Sequence, residues 1–213
     1  MKIFIAAGHG GKDPGAAANQ TTEAQETVKI VDKVVEILAP IIKSPHRLIK
    51  VPHEFNLADT VGFINRWAVV NSSDICIEVH MNSNRLIPGT GVEVLFGYKD
   101  LAQTLQKNLV KHTGLKDRGI KERNDCYFNN ATIPGSAIVE LGFINNAQDL
   151  PLVREKGALA LAAGITDFLK ILSPTSPGLP PTTPTYKQKF EKMDQKFKEL
   201  VAVADKLYKE ALE

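Results

Sequence analysis

Four side chains spread through this sequence have the types and settings that hydrolysis on a metal needs. His9 follows an apolar run and sits among glycines, Gly8-His9-Gly10-Gly11. His80 comes near the end of Asp74-Ile-Cys-Ile-Glu-Val-His-Met-Asn82, where the β-favouring Ile75, Cys76, Ile77 and Val79 surround a lone acid. Glu140 is a carboxylate inside the apolar run Ala137-Ile-Val-Glu-Leu-Gly-Phe143, costly to bury unless something pairs with it. Glu23 opens an amphipathic stretch. Two histidines and one carboxylate, with a fourth position open, are the ligand set of a catalytic zinc site. Imidazole and carboxylate suit zinc, and the lack of a suitable cysteine pair argues against a closed structural site. A further carboxylate, itself not a ligand, would take a proton from the activated water and pass it to a leaving amine.

Each of these residues also has an ordinary reading. A lone histidine at a strand end is more often structural than functional, His9 is equally at home as a loop residue, and Glu23 suits the positive end of a helix dipole. Glu140 is the hardest to dismiss, because its neighbours Ile138, Val139 and Leu141 leave it no polar company. His46, His53 and His112 stand in polar surroundings and are expected at the surface.

The elements that must position the four side chains follow from periodicity. Residues 2–7 and 74–82 read as buried strands, the first breaking into the turn composition Lys12-Asp13-Pro14-Gly15. Thr21 and Thr22 are capping residues for a helix over 23–38, where Ile30, Val31, Val34, Val35 and Leu38 recur at helical spacing. A short strand at 47–52 is followed by a helix over 55–70 built on Leu57, Val61, Ile64, Trp67 and Ala68. Strands at 90–96 and 136–141, a helix over 101–112 and a long helix over 152–172 complete the pattern, with Gly157 and Gly164 for close packing; the polar stretch 117–125 has no assignment. Strands alternating with helices predict one α/β domain over residues 1–172, a mixed, largely parallel twisted sheet covered by helices on both faces. Open α/β sheets carry their chemistry at the strand C-termini, where His9 and His80 stand.

Residues 173–185 hold five of the chain's twelve prolines and no charge, which predicts an extended linker. Beyond it Tyr186, Phe190, Met193, Phe197, Leu200, Ala204, Leu207 and Ala211 alternate spacings of four and three, a heptad seam expected to form a coiled-coil-like helix over 186–213. Such a helix can pair with another copy into a homo-oligomer, fold back on the domain or belong to a larger appended module, and the first is slightly favoured. The net charge of +2, from 26 basic and 24 acidic residues, gives no strong nucleic-acid or membrane-surface footprint. The apolar run at the N-terminus is too short for a signal-peptide core or a membrane span, and Cys76 and Cys126 are expected as free thiols.

These residues carry a resemblance. Gly8-His9-Gly10-Gly11-Lys12-Asp13-Pro14-Gly15-Ala16, a glutamate fourteen residues after the histidine (Glu23), Val79-His80-Met81-Asn82, Gly91-Val92-Glu93-Val94, Arg118-Gly119-Ile120-Lys121 and Ile138-Val139-Glu140-Leu141-Gly142-Phe143-Ile144-Asn145-Asn146 are similar, in order, to the motifs of the zinc-dependent N-acetylmuramoyl-L-alanine amidases of the amidase-3 type. The resemblance covers residues 1–172. It implies zinc (Zn2+) bound by His9, Glu23 and His80, with Glu140 as catalytic acid and base. It implies peptidoglycan as substrate, cut at the amide between N-acetylmuramic acid and L-alanine. Asn82 and Arg118 match motif positions near the family's site, which implies substrate-binding or supporting roles. Without a signal peptide the chain resembles a phage endolysin, made in the cytoplasm and acting on the cell wall after release or lysis.

The sequence departs from the family at Ala6-Ala7, where the family has Asp-Pro, and at Glu78, where it has a small residue. Glu78 shares a strand face with His80, and Glu26 lies one turn beyond Glu23, so either is a rival for the carboxylate ligand. The resemblance favours Glu23, because that register puts Ile30, Val31, Val34 and Val35 where the family's helix is apolar. Two other functions stand beside the amidase: a zinc peptidase acting on another amide, and a wall-binding module without catalysis, which would have little reason to keep Glu140 in an apolar strand.

Overall fold

The N-terminal apolar run is strand β1 (Lys2–Ala7), and the chain continues through β2 (Ala17–Ala18), β3 (Thr21–Thr22), α1 (Glu23–Leu38), β4 (Arg47–Lys50), α2 (Leu57–Trp67), β5 (Ile75–Asn82) and β6 (Val92–Phe96). There follow α3 (Lys99–Thr113), β7 (Asp117–Glu122), α4 (Tyr127–Ala131), β8 (Gly135–Phe143), α5 (Asp149–Leu152), a π-helical stretch (Val153–Gly157) and α6 (Ala158–Ile171). The computed structural model describes residues 1–70, 72–84 and 89–171. The chain separates into two units, Met1–Pro177 and Gly178–Glu213, and the described residues all belong to the first. The linker at 173–185 and the heptad seam at 186–213 lie outside the described residues.

Six strands form one sheet in the order β4-β1-β5-β8-β6-β7, and β2 pairs with β3 apart from it. Strands β4, β1, β5 and β8 are mutually parallel, whereas β6 runs antiparallel to β8 and β7 parallel to β6. The sheet is therefore mixed and mostly parallel, as the alternation of elements predicts.

The two-residue period of the strands divides the core into two layers. Ile3, Ile5, Ile77, Val79, Val139 and Leu141 pack with residues of α1, α3 and α6 such as Val34, Leu105 and Phe168. Phe4, Ala6, Cys76 and Ile138 pack on the other face with Val61 and Ile64 of α2 and Phe128 of α4. Both faces are covered, which is why the central strands are apolar along most of their length. Helix α1 begins where the threonines predict: the Thr22 hydroxyl accepts from the Gln25 N–H while the Gln25 side chain accepts from the Thr22 N–H.

Three details differ from the sequence reading. The unassigned segment 117–125 supplies an edge strand, β7, whose polar side chains are tolerated because its residues stay exposed or half-buried. The helix expected over 152–172 starts earlier, as α5, and passes through the π-helical stretch before α6. In α2 the buried residues are Thr60, Val61 and Ile64, while Leu57 and Trp67 are exposed. Gly164 does bring two helices together, since a Cβ there would lie 3.0 Å from the Leu105 side chain.

The topology has one consequence for chemistry. The C-terminal ends of β1, β5 and β8 lie along a single rim, and β6, running the other way, brings its beginning to the same rim. Glu140 of β8 is accordingly the register partner of His80 on one side and of Glu93 on the other. Among the described residues no helix is long and apolar enough to cross a membrane.

Candidate metal centre

His9 is delivered by the turn that follows β1. The Gly8 N–H donates to the Val79 carbonyl at 2.7 Å, extending the sheet pairing by one residue before the backbone swings away. His9 then adopts φ 62°, a left-handed conformation unfavourable for a residue with a side chain and costing on the order of 1–3 kcal/mol. Asp13 holds the turn, with one carboxylate oxygen 2.8 Å from His9 Nδ1 and the other accepting from the Gly15 N–H at 3.0 Å. The ring is thereby set with Nε2 toward α1.

Glu23, the first residue of α1, reaches between the two histidines. Its Oε2 lies 3.1 Å from His9 Nε2 and accepts from the Ala16 N–H. Its Oε1 lies 2.9 Å from His80 Nδ1 and accepts from the Met81 N–H at 3.0 Å. The two imidazole rings stand nearly edge to face with centroids 5.0 Å apart. One donor atom from each of His9, Glu23 and His80 falls within 4.8 Å of the others. Two glycines make room for the rings: a Cβ at Gly8 would come 2.4 Å from His80 Nε2, and one at Gly15 2.6 Å from His9 Cδ2.

The electrostatics follow from this interleaving. Burial works against ionisation of Glu23, yet hydrogen bonds from His80 and His9 hold its carboxyl well below the usual range. Burial likewise opposes a charge on His80, but Glu23 and Glu78 raise its affinity for protons well above that of a free imidazole. Hydrogen bonding to Glu23 raises His9 against the effect of burial. Two ring nitrogens of different histidines thus converge on one ionised carboxylate. This donor set fits a borderline divalent cation, which would take over the lone pairs now shared with protons.

Glu140 is different in kind. Its Oε2 is buried with no hydrogen-bond partner among the described residues. Burial pushes the carboxyl up to about 7, the positive His80 opposing the shift and the nearby charges of Glu23 and Glu93 adding to it.

The rivals for the carboxylate position are accounted for by their partners. Glu26 is taken up elsewhere and its side chain is 1% exposed; it accepts from Arg154 Nε and Nη2, each at 2.9 Å, and from the Thr21 hydroxyl at 2.6 Å. Glu78 does meet His80, but at the ring nitrogen opposite Glu23, with Oε2 3.1 Å from Nε2.

Asn82 and Arg118 come together on a residue the sequence reading passed over. Glu93, buried in β6, accepts from Asn82 Nδ2 at 2.7 Å and Arg118 Nη2 at 3.4 Å, and pairs closely with Lys121 Nζ. Arg118 also lies over the Phe143 ring, 5.0 Å from its centroid. The signal for Glu93 was the same as for Glu140, a single acid in an apolar strand, Val92-Glu-Val-Leu-Phe96. His53 is exposed, while His46 and His112 are half-buried rather than fully at the surface. Both cysteines are free thiols.

Known proteins resemble this chain along the whole described unit. The crystal structure of an N-acetylmuramoyl-L-alanine amidase from Clostridium difficile 630 superposes with a TM-score of 0.70 over 81% of this chain and 98% of that one, at 22% identity, and so shares the fold. The endolysin of Bacillus phage SPP1 is 31% identical over 186 residues, 79% of this chain and 66% of the endolysin. The uncharacterised Bacillus subtilis protein YqiI is 28% identical over 178 residues, 78% of this chain and 84% of its own length. The chain thus spans about two thirds of the endolysin and more of YqiI. The amidase-3 family profile, described as N-acetylmuramoyl-L-alanine amidase, matches residues 3–170, most of the sequence, and the chain belongs to that family.

Proposed function

We propose that this protein is a zinc-dependent peptidoglycan hydrolase that cleaves the amide between N-acetylmuramic acid and L-alanine. The observation that carries the reading is the convergence of one donor atom each from His9, Glu23 and His80 within 4.8 Å, on the rim where Glu140 keeps a buried oxygen without a partner among the described residues. His9, Glu23 and His80 are the residues that would hold the ion. When bound, zinc supplies a Lewis acid for the scissile carbonyl and for a water molecule.

The remaining work belongs to the chain's own groups. Glu140, pushed up to about 7 by burial, accepts a proton from the attacking water as a carboxylate. It returns that proton to the L-alanine nitrogen as a carboxylic acid, so that the amine leaves neutral. Asp13 fixes the His9 ring by its Nδ1, which keeps Nε2 on the side of Glu23. Asn82 and Arg118, gathered on Glu93 next to Glu140, are assigned to hold the substrate or to support the site.

Relatives named as amidases and as an endolysin support the substrate and the action on the wall. The endolysin relative also supports release from the producing cell by lysis. Purified peptidoglycan incubated with the enzyme and zinc is expected to yield intact stem peptides with free L-alanine amino groups. Glycan strands bearing free lactyl carboxyl groups should accumulate alongside. Cleavage within the stem peptide instead would mark a peptidase, and binding without turnover would mark a wall-binding module.

A further inference from the structure

Glu78 occupies a place where a carboxylate is expensive. It lies in the central strand β5, its register partners on the flanking strands are Ala6 and Ile138, both buried and apolar, and it is itself 4% exposed. Such a group persists only where a hydrogen bond compensates its lost hydration. The polar contact is His80, two residues on and on the same strand face, with Glu78 Oε2 3.1 Å from Nε2.

We propose that Glu78 is a positioning residue for His80: it holds the imidazole by Nε2 so that Nδ1 is the nitrogen presented to Glu23 and to the cation. The inference rests on the zinc reading above and extends it to a residue outside the ligand set. His80 has no turn of its own to hold it, unlike His9 with Asp13. Its ring rests against the backbone of Gly8, where a Cβ would collide with it, and that contact limits the tilt of the ring. It does not by itself fix the ring's orientation, because an imidazole flipped by half a turn fills nearly the same space but puts Cδ2, a carbon that cannot coordinate, where Nδ1 stood and moves Nε2 to the former place of Cε1. An acceptor at one ring nitrogen makes the selection, since that nitrogen must then carry hydrogen and the other must carry the lone pair. A carboxylate in this position also raises the donor strength of the coordinating nitrogen.

The test compares wild type, Glu78→Gln and Glu78→Met, each confirmed as folded by circular dichroism. Zinc affinity is read by competition with a chromophoric chelator, and 15N-histidine NMR of the zinc-loaded wild type reads the His80 nitrogens. Glu78→Met should bind zinc about 10–100-fold more weakly, the range found when such an outer carboxylate is removed. Glu78→Gln, whose amide oxygen still accepts the Nε2–H, should recover most of the affinity. The wild-type spectrum should show zinc on Nδ1 and hydrogen on Nε2. Equal affinity in all three proteins, or zinc on Nε2, overturns the proposal while leaving the zinc site standing. A wild type that takes up no zinc overturns the zinc reading itself, and this inference with it.

Discussion

At the scale of single residues, the proposed hydrolase separates the groups that would hold the ion from the group that would transfer protons. Glu23 is ionised and saturated by two histidines and two backbone N–H groups, so it has no capacity left for proton transfer. Glu140 has an oxygen to spare and a carboxyl pushed up to about 7. Glu140→Gln should therefore lower kcat by about 10²–10⁴-fold while zinc content, measured by atomic absorption, stays at one ion per chain. Glu23→Gln should do the opposite, losing zinc first and activity as a result. Retention of full activity by Glu140→Gln would remove the proposed acid and base. Glu78 and Glu93 show why neither role was assignable from residue type. All four are acids in or beside apolar runs, and only their partners distinguish them.

At the scale of elements, the turn between β1 and α1 and the contact between α1 and the π-helical stretch Val153–Gly157 decide whether the site assembles. Gly8→Ala would set a methyl group 2.4–2.6 Å from three atoms of the His80 ring, so the ring must move. The cost should be about 1–3 kcal/mol in urea unfolding, with weakened zinc binding as the more specific sign. Helix α1 is tied down by the Glu26 to Arg154 pair, which spans 128 residues of sequence and holds the Glu26 carboxyl at about 2. A carboxyl held below its ordinary value of 4.5 contributes stability that is fully present above that value. That stability is lost as pH falls from about 4.5 toward about 2. Arg154→Met should then cost about 2 kcal/mol at neutral pH, allowing for the half-exposed guanidinium. The difference from wild type should vanish near pH 2 when urea midpoints are compared across the range.

At the scale of the whole molecule, the sheet brings residues 9, 23, 80 and 140 to one rim although most of the domain's length separates them. Three separate elements supply the proposed ligands, so an ion bound there would fasten β1, α1 and β5 to one another. Zinc at a hundredfold excess over its Kd should stabilise the fold by about 2.7 kcal/mol. That corresponds to a rise in Tm of roughly 5–10 °C, reversed by a chelator. Calorimetry with and without zinc would check it, and an unchanged Tm would mean that the three side chains do not share an ion.

The sequence by itself determined the alternation of strands and helices, the cap of α1 at Thr22, and the residue types fit for hydrolysis on a metal. These are local properties: side-chain period, capping chemistry and the misfit of a lone acid in an apolar run all act over a few residues. It left β7 unassigned, because an edge strand paired on one side needs no apolar pattern, and it left Glu23, Glu26 and Glu78 as rivals. Only the tertiary structure separated those three, by giving Glu26 to Arg154, Glu78 to the far nitrogen of His80 and Glu23 to the space between two imidazoles. A carboxylate's role is fixed by what lies within about 3 Å of its oxygens, and in this fold those neighbours come from strands and helices distant in the chain.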